Sequence, residues 1–323
     1  MATVDMIIAG LNACLTGNSN AIRSALDTMV AHEIKTGNHT VAAKFRSVLE
    51  SHENQVISST RRTYAAKKIL RSDTPKGMSE QVVVHGIDSM TLEKCVLDVV
   101  LKMIKEHKNR ERLQSYNLDP HHKILLIGPP GNGKTTLASR IAADLGVPFF
   151  SVNGDVLSSL MGETTKNIKE IFTYSAKAGG CVLFLDEFDA MGAERSGKHS
   201  DVGEAKRITA FLLTEIDALP SDVVMIAATN HQELLDRALW RRFQIKLELG
   251  MPSHEQATVF VSSTGKRHRV EFSPRQILRI VKHTKGKCIA EIEHVCIEII
   301  TDMAMSDKPD LEMSVEKIVG IMD

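Results

Sequence analysis

The segment Gly128-Pro129-Pro130-Gly131-Asn132-Gly133-Lys134-Thr135 has the spacing G-x-x-x-x-G-K-[ST], between an apolar run, Ile124 to Ile127, and a helical stretch opening near Thr136. Glycines in such a turn let successive backbone N–H groups curl around phosphate oxygens, and the helix start adds a favourable dipole. Lys134 supplies a point charge to the β- and γ-phosphates, and Thr135 a hydroxyl for Mg²⁺. Gly128 through Thr136 is therefore the expected nucleotide-binding segment, with ATP and Mg²⁺ as its cofactors.

A second stretch, Cys181 to Asp189, reads C-V-L-F-L-D-E-F-D: an apolar strand that ends in carboxylates. Ligands gather at that end of the strands in open α/β sheets. Asp186 would orient Mg²⁺ through its water shell, and Glu187 would polarise an attacking water, because phosphoryl transfer needs a positioned nucleophile more than covalent help. Alone, an acidic pair at a strand end reads as a solvated turn; beside the glycine-rich loop that reading gives way. Asn230 closes another apolar run, Val223 to Ala228, where its amide would bind the γ-phosphate or the attacking water. Arg241 and Arg242 adjoin inside the otherwise apolar Leu239 to Phe243. Arginines supplied across an interface stabilise charge on a transferring phosphoryl group, which would make hydrolysis depend on assembly. The bland alternative is a surface ion pair.

These groups need a sheet to hold them. Its strands are expected at Ile124 to Ile127, Phe149 to Val152, Val182 to Leu185 and Val223 to Ala228, with Ile245, Leu247 and Leu249 alternating with Lys246 and Glu248 at an edge. Helical stretches separate the runs, which predicts an α/β domain over 82–250: a five-stranded parallel sheet with helices on both faces. Within it a short apolar run, Val82 to Val84, precedes Asp88, which is placed to cap a helix with the stripe Leu92, Val96, Val99, Val100, Met103 and Ile104. From 251 to 323 the helical period continues without strands, predicting a C-terminal helical domain. Over 1–60 helical spacing is broken at Gly17-Asn18 and Gly37-Asn38, predicting an N-terminal three-helix bundle that binds a partner or substrate. Between bundle and sheet, 61–81 carries Arg61, Arg62, Lys67, Lys68 and Arg71 and reads as a basic linker.

Forty basic residues balance forty acidic ones, so no whole-protein field draws the chain to nucleic acid or to an anionic membrane. Nucleic-acid binding through Arg61 to Arg71 is accordingly not favoured. The five cysteines, Cys14, Cys95, Cys181, Cys288 and Cys296, are scattered and odd in number, which favours reduced thiols and a cytoplasmic protein. No stretch has the apolar length of a bilayer span, so membrane insertion is not expected. His294 with Cys288 and Cys296 lacks paired metal-ligand spacing, and Ile292, Val295, Cys296, Ile299 and Ile300 read instead as a core stripe.

The order of glycine-rich loop, Asp-Glu strand, strand-Asn and arginine pair resembles the AAA ATPases, from about Val82 to the C terminus. The resemblance implies an ATP hydrolase working as a ring of identical subunits, by family pattern a hexamer. It assigns the Walker A and Walker B motifs to the segments above, the first sensor to Asn230 and the arginine fingers to Arg241 and Arg242. Val84-His85-Gly86-Ile87-Asp88 resembles the family's lead-in, so backbone near Val84 and His85 would meet adenine. Leu160-Met161-Gly162 stands at the substrate-gripping pore loop, apolar but without the usual ring. Gly286 to Ile292 resembles the motif of a lid domain, with Cys288 and Ile289 where Ser-Gly is usual. The family often spaces its two arginines by Pro-Gly; here they adjoin, leaving open which reaches the neighbour's phosphate. The N-terminal bundle resembles microtubule-interacting and transport domains, and the compact layout resembles small bacterial AAA ATPases encoded beside subtilisin-like proteases in anti-phage systems. Together these imply an ATPase that remodels, unfolds or disassembles a protein partner. The alternative is a nucleotide-dependent switch controlling an effector such as a protease or nuclease.

Overall fold

The computed structural model describes residues 74–81, 83, 85–153, 164–189, 201–306 and 310–320. The expected N-terminal bundle, most of the basic stretch, Val84, and Leu160-Met161-Gly162 lie outside the described residues. Six strands form one sheet: β1 (Met78–Gln81), β2 (Lys123–Ile127), β3 (Phe149–Asn153), β4 (Cys181–Asp186), β5 (Val223–Thr229) and β6 (Ile245–Glu248), in the order β1-β3-β4-β5-β2-β6. Strands β2 to β6 run parallel, so their C-terminal ends open on one side, where the glycine-rich loop, Asp186 and Asn230 follow β2, β4 and β5.

Alternation along the strands builds two apolar layers. Ile124 and Leu126 of β2, with Phe149, Val182, Phe184, Val224 and Ile226, face a layer that includes α1 (Lys94–Lys108) and α3 (Lys134–Leu145). Leu125 and Ile127, with Phe150, Val152, Leu183, Leu185 and Met225, face α4 (Thr164–Ala178) and α5 (Asp201–Ala218). Both faces are covered, so the inner strands read as continuous hydrophobic runs; every residue of β5 is buried. Cutting a fully buried ring such as Phe184 to alanine would cost about 3–5 kcal/mol. Short helices α2 (Arg110–Gln114) and α6 (Arg237–Trp240) lead into β2 and β6.

Two expectations need correction. The sheet has six strands rather than five, and it is mixed: β1 pairs antiparallel with β3, Met78 opposite Val152 and Gln81 opposite Phe149. These residues fall in the stretch read as a linker. Only Met78 of β1 is buried, and its four polar-rich residues carry too little period-2 signal to stand out from the turn before them. Asp88 does not cap the following helix. It lies in a 3₁₀ turn, Ile87–Ser89, and α1 begins later, after Glu93. The stripe holds at Val96, Val100, Met103 and Ile104, which are buried, whereas Val99 is turned out and exposed.

After β6 the chain is helical: α7 (His254–Arg267), α8 (Pro274–His283), α9 (Ile289–Met305) and α10 (Leu311–Val319) close around Val261, Ile280, Ile292, Val295, Cys296, Ile299 and Val315. Ser253 and Ser273 start α7 and α8 with reciprocal capping boxes to Gln256 and Gln276, and Pro274 occupies the first turn where its missing N–H costs nothing. Burial pushes the Cys296 thiol up to about 12, the behaviour of an inert core residue. Among the described residues no cluster of His, Cys, Asp and Glu is arranged to hold a metal, and no helix is long and apolar enough to cross a membrane.

At the opposite, N-terminal end of β2, His122 is buried; its Nδ1 meets the Pro120 carbonyl, and its Nε2 has no partner. Burial holds its pKa below 6.5, outweighing the Pro120 bond that raises it, and His107 is lowered by burial too. In the unfolded chain these rings take up protons at higher pH than in the folded one, so stability is fullest above the unfolded value and declines as pH falls through it. The melting temperature should drop between about pH 7.5 and about pH 5.5, and His122→Gln, which cannot protonate there, should flatten that slope in a thermal-melt series.

Candidate active site

The loop after β2 is shaped by what a side chain would strike. Gly128 has φ +148°, and a Cβ there would lie 2.2 Å from the Leu249 carbonyl oxygen, so only glycine lets the loop turn beneath β6. Gly131 has φ +79°, and a Cβ would sit 2.7 Å from Cys288 Sγ. Lys134 opens α3, and its side chain folds back into the loop rather than out to solvent. Its Nζ donates to the carbonyls of Gly128 at 2.7 Å and Pro129 at 2.9 Å, and to Asn230 Oδ1 at 2.7 Å. Three acceptors match the three protons of an ammonium. Burial lowers the Lys134 pKa, while the carboxylates of Asp186 and Asp189 pull it back up.

Strand β4 brings the carboxylates to the same end. Thr135 Oγ1 donates to Asp186 Oδ2 at 3.4 Å, and Asp186 Oδ1 accepts from the Glu187 backbone N–H at 3.0 Å. Glu187 itself has φ +50°, a left-handed conformation that costs a side-chain-bearing residue about 1–3 kcal/mol. Such strain collects where a turn must aim a group at a fixed point. Asp189 is more than the end of the motif. Its Oδ1 accepts from Thr229 Oγ1 at 2.7 Å, and the same Thr229 oxygen accepts from the His231 backbone N–H at 3.0 Å. Asn230 lies between those two residues, so the Asp189–Thr229 bond braces the turn that carries it on its Thr229 side, and Thr229 in turn holds His231.

Residues 124–251 match the model of the ATPase family associated with various cellular activities (AAA). The AAA family ATPase y4kL of Sinorhizobium fredii is 32% identical over 305 residues, spanning 92% of this chain and 88% of that protein. The chain belongs to the AAA family of ATPases. An Archaeoglobus fulgidus Cell division cycle protein 48 homologue is 36% identical over 237 residues, but the chain spans only 32% of its length. The crystal structure of the FIGL-1 AAA domain superposes with a TM-score of 0.62 over 77% of this chain and 86% of that one; at 22% identity it speaks for the fold. As an AAA ATPase the chain hydrolyses ATP, and the residues expected as Walker A and Walker B, with Asn230, are brought together at one end of the sheet.

The family's lead-in loop is pinned from behind by α3. Asp144 Oδ2 accepts from the Ile87 backbone N–H at 3.0 Å, and Arg140 Nη1 donates to the Gly86 carbonyl at 3.3 Å. His85 is exposed beside this loop. The arginine pair is not part of the same assembly. Arg241 and Arg242 precede β6, whose Ile245 stands level with Ile124 of β2, so a strand of about 16 Å separates them from the phosphate loop. Arg242 forms an ion pair with Asp217 on α5, Nε to Oδ1 2.8 Å, whereas Arg241 is exposed.

Sequence reasoning missed Asp144, one carboxylate among forty, gave Asp189 no role beyond ending the strand motif, and placed Asn132 only as a loop residue. Its side chain in fact turns away from Lys134 toward Gly250 and Ile289. Because the Gly128 turn has no room for a Cβ, Gly128→Ala should destabilise the fold by about 2 kcal/mol and abolish nucleotide binding, read by chemical denaturation and by titration with a fluorescent ADP analogue.

Proposed function

We propose that this ATPase works as a cytoplasmic ring of identical subunits, six by family pattern, which couples hydrolysis to remodelling, unfolding or disassembly of a protein partner. The observation that carries the assembly half is the position of the arginine pair. A guanidinium a full strand length from its own subunit's phosphate loop serves hydrolysis only by reaching the nucleotide of a neighbour. Arg241 is the better candidate for that reach, because Arg242 is engaged by Asp217 within the subunit.

Within one site the roles divide by chemistry. Lys134 and the loop amides hold the phosphates, and Glu187 polarises the attacking water. Asn230 orients that water or the γ-phosphate. Thr135 and Asp186 offer adjoining hard oxygens, the donor type Mg²⁺ takes, and would hold it; the ion supplies neutralising charge to the β- and γ-phosphates. Backbone at Val84 and His85 would meet adenine. Leu160, Met161 and Gly162 would grip the partner, which the bundle over 1–60 would capture.

ATPase rate per subunit should rise with protein concentration alongside an ATP-dependent large species in size analysis. Glu187→Gln should bind ATP and lower turnover at least about a hundredfold. Arg241→Ala should bind ATP normally and lose about a thousandfold in rate, with Arg242→Ala less affected. Full turnover by a dilute monomer would sink the ring. If Leu160→Ala with Met161→Ala left the cellular output intact, the chain would be a nucleotide-dependent switch for an effector rather than a motor.

A further inference from the structure

Helix α9 begins directly against the phosphate loop, and the loop supplies its first hydrogen-bond acceptors. The first N–H groups of a helix have no partner inside it. Here Ile289 N–H donates to Asn132 Oδ1 at 3.2 Å, and Ala290 N–H donates to the Gly131 carbonyl at 3.0 Å. Glu291 serves the Cys288 N–H at 2.8 Å. The remaining half of the Asn132 amide points to the other end of the lid. Its Nδ2 donates to the Gly250 carbonyl at 2.9 Å and the Leu249 carbonyl at 3.4 Å, at the junction where the chain leaves β6 for α7. Asn132 is 6% exposed. One buried amide thus joins the phosphate loop to the covalent hinge of the lid and to the start of the helix that lies over the loop.

Two attachments define an angle where one would leave a pivot. Gly131 tightens the fit, since Cys288 Sγ and the Ala290 methyl occupy the space a Cβ would need. Any shift of Gly131 and Asn132 around a phosphate must therefore move α9, move the hinge, or break these bonds. We propose that Asn132 is a positioning residue that sets the lid angle from the phosphate loop, a role apart from holding phosphate. The proposal rests on the ATPase reading and adds the path by which nucleotide is felt outside the site. It requires two discrete lid arrangements that nucleotide biases to different degrees.

The test uses the full chain as wild type, Asn132→Ala and Asn132→Asp. Amide exchange across residues 287–292, read by mass spectrometry with and without ADP, reports the α9 attachment. In wild type, exchange of this segment should change with ADP. In Asn132→Ala that response should vanish, with kcat lowered about tenfold while ADP affinity stays within about threefold. Asn132→Asp keeps an acceptor for Ile289 but sets a carboxylate against the Leu249 and Gly250 carbonyls, and should retain the exchange response in part. An unchanged exchange response in Asn132→Ala would overturn the proposal. So would a loss of ADP affinity matching the loss of kcat/KM, since that marks a phosphate ligand. If the alanine variant does not fold, the same readouts on Asn132→Asp decide: a wild-type response together with wild-type kcat counts against the tie. Exchange needs only ADP binding, so a wild-type chain without turnover would speak against the proposed function and leave this inference standing on its own measurement.

Discussion

The Lys134 side chain is buried at the edge of the phosphate loop, and oxygens from Gly128, Pro129 and Asn230 take its three protons. A buried charge is tolerated only when its donors are satisfied, so the surrounding structure is constrained to present those oxygens. The glycine conformations bring two carbonyls inward. The burial of β5 fixes where Asn230 emerges, and the Asp189–Thr229 bond fixes the turn that carries it. Even the two-sided covering of the sheet serves this end, because parallel strands hold their C-terminal ends in line only when packed on both faces.

The same loop is bound to the C-terminal helices through groups that do not face Lys134. The phosphate loop thus has an inner surface of backbone and ammonium, and an outer surface whose Gly131 carbonyl and Asn132 amide complete the start of α9. Chemistry and mechanical coupling are separated by the thickness of one turn. The arginine pair, at the far end of β6, adds a complementary asymmetry: the chain carries a phosphate loop at one end of the sheet and, a strand away, a cationic pair that this loop cannot reach.

Much of this was legible in the sequence for a physical reason. Strands buried on both faces must be apolar throughout, so β2 to β5 announce themselves as runs, and the turn residues after them carry the chemistry. Strand β1 stayed hidden because an exposed edge needs only Met78 to face inward. The late start of α1 was missed because Asp88 has the chemistry of a cap but sits in a tighter turn. Asp189 and Asn132 were present in the motifs without their roles. What a side chain bonds is decided by which loop passes beside it, and Thr229 and Ile289 lie 40 and 157 residues away in the chain. Composition cannot encode that.

Glu187, with its φ of +50°, joins the carboxylate proposed to act on water to a backbone geometry that suits glycine or asparagine better than glutamate. Selection for heat resistance alone would favour relaxing this turn and would erase the group proposed to polarise water. A lineage of this architecture released from hydrolysis would be expected to lose it early and to become sturdier as it fell silent.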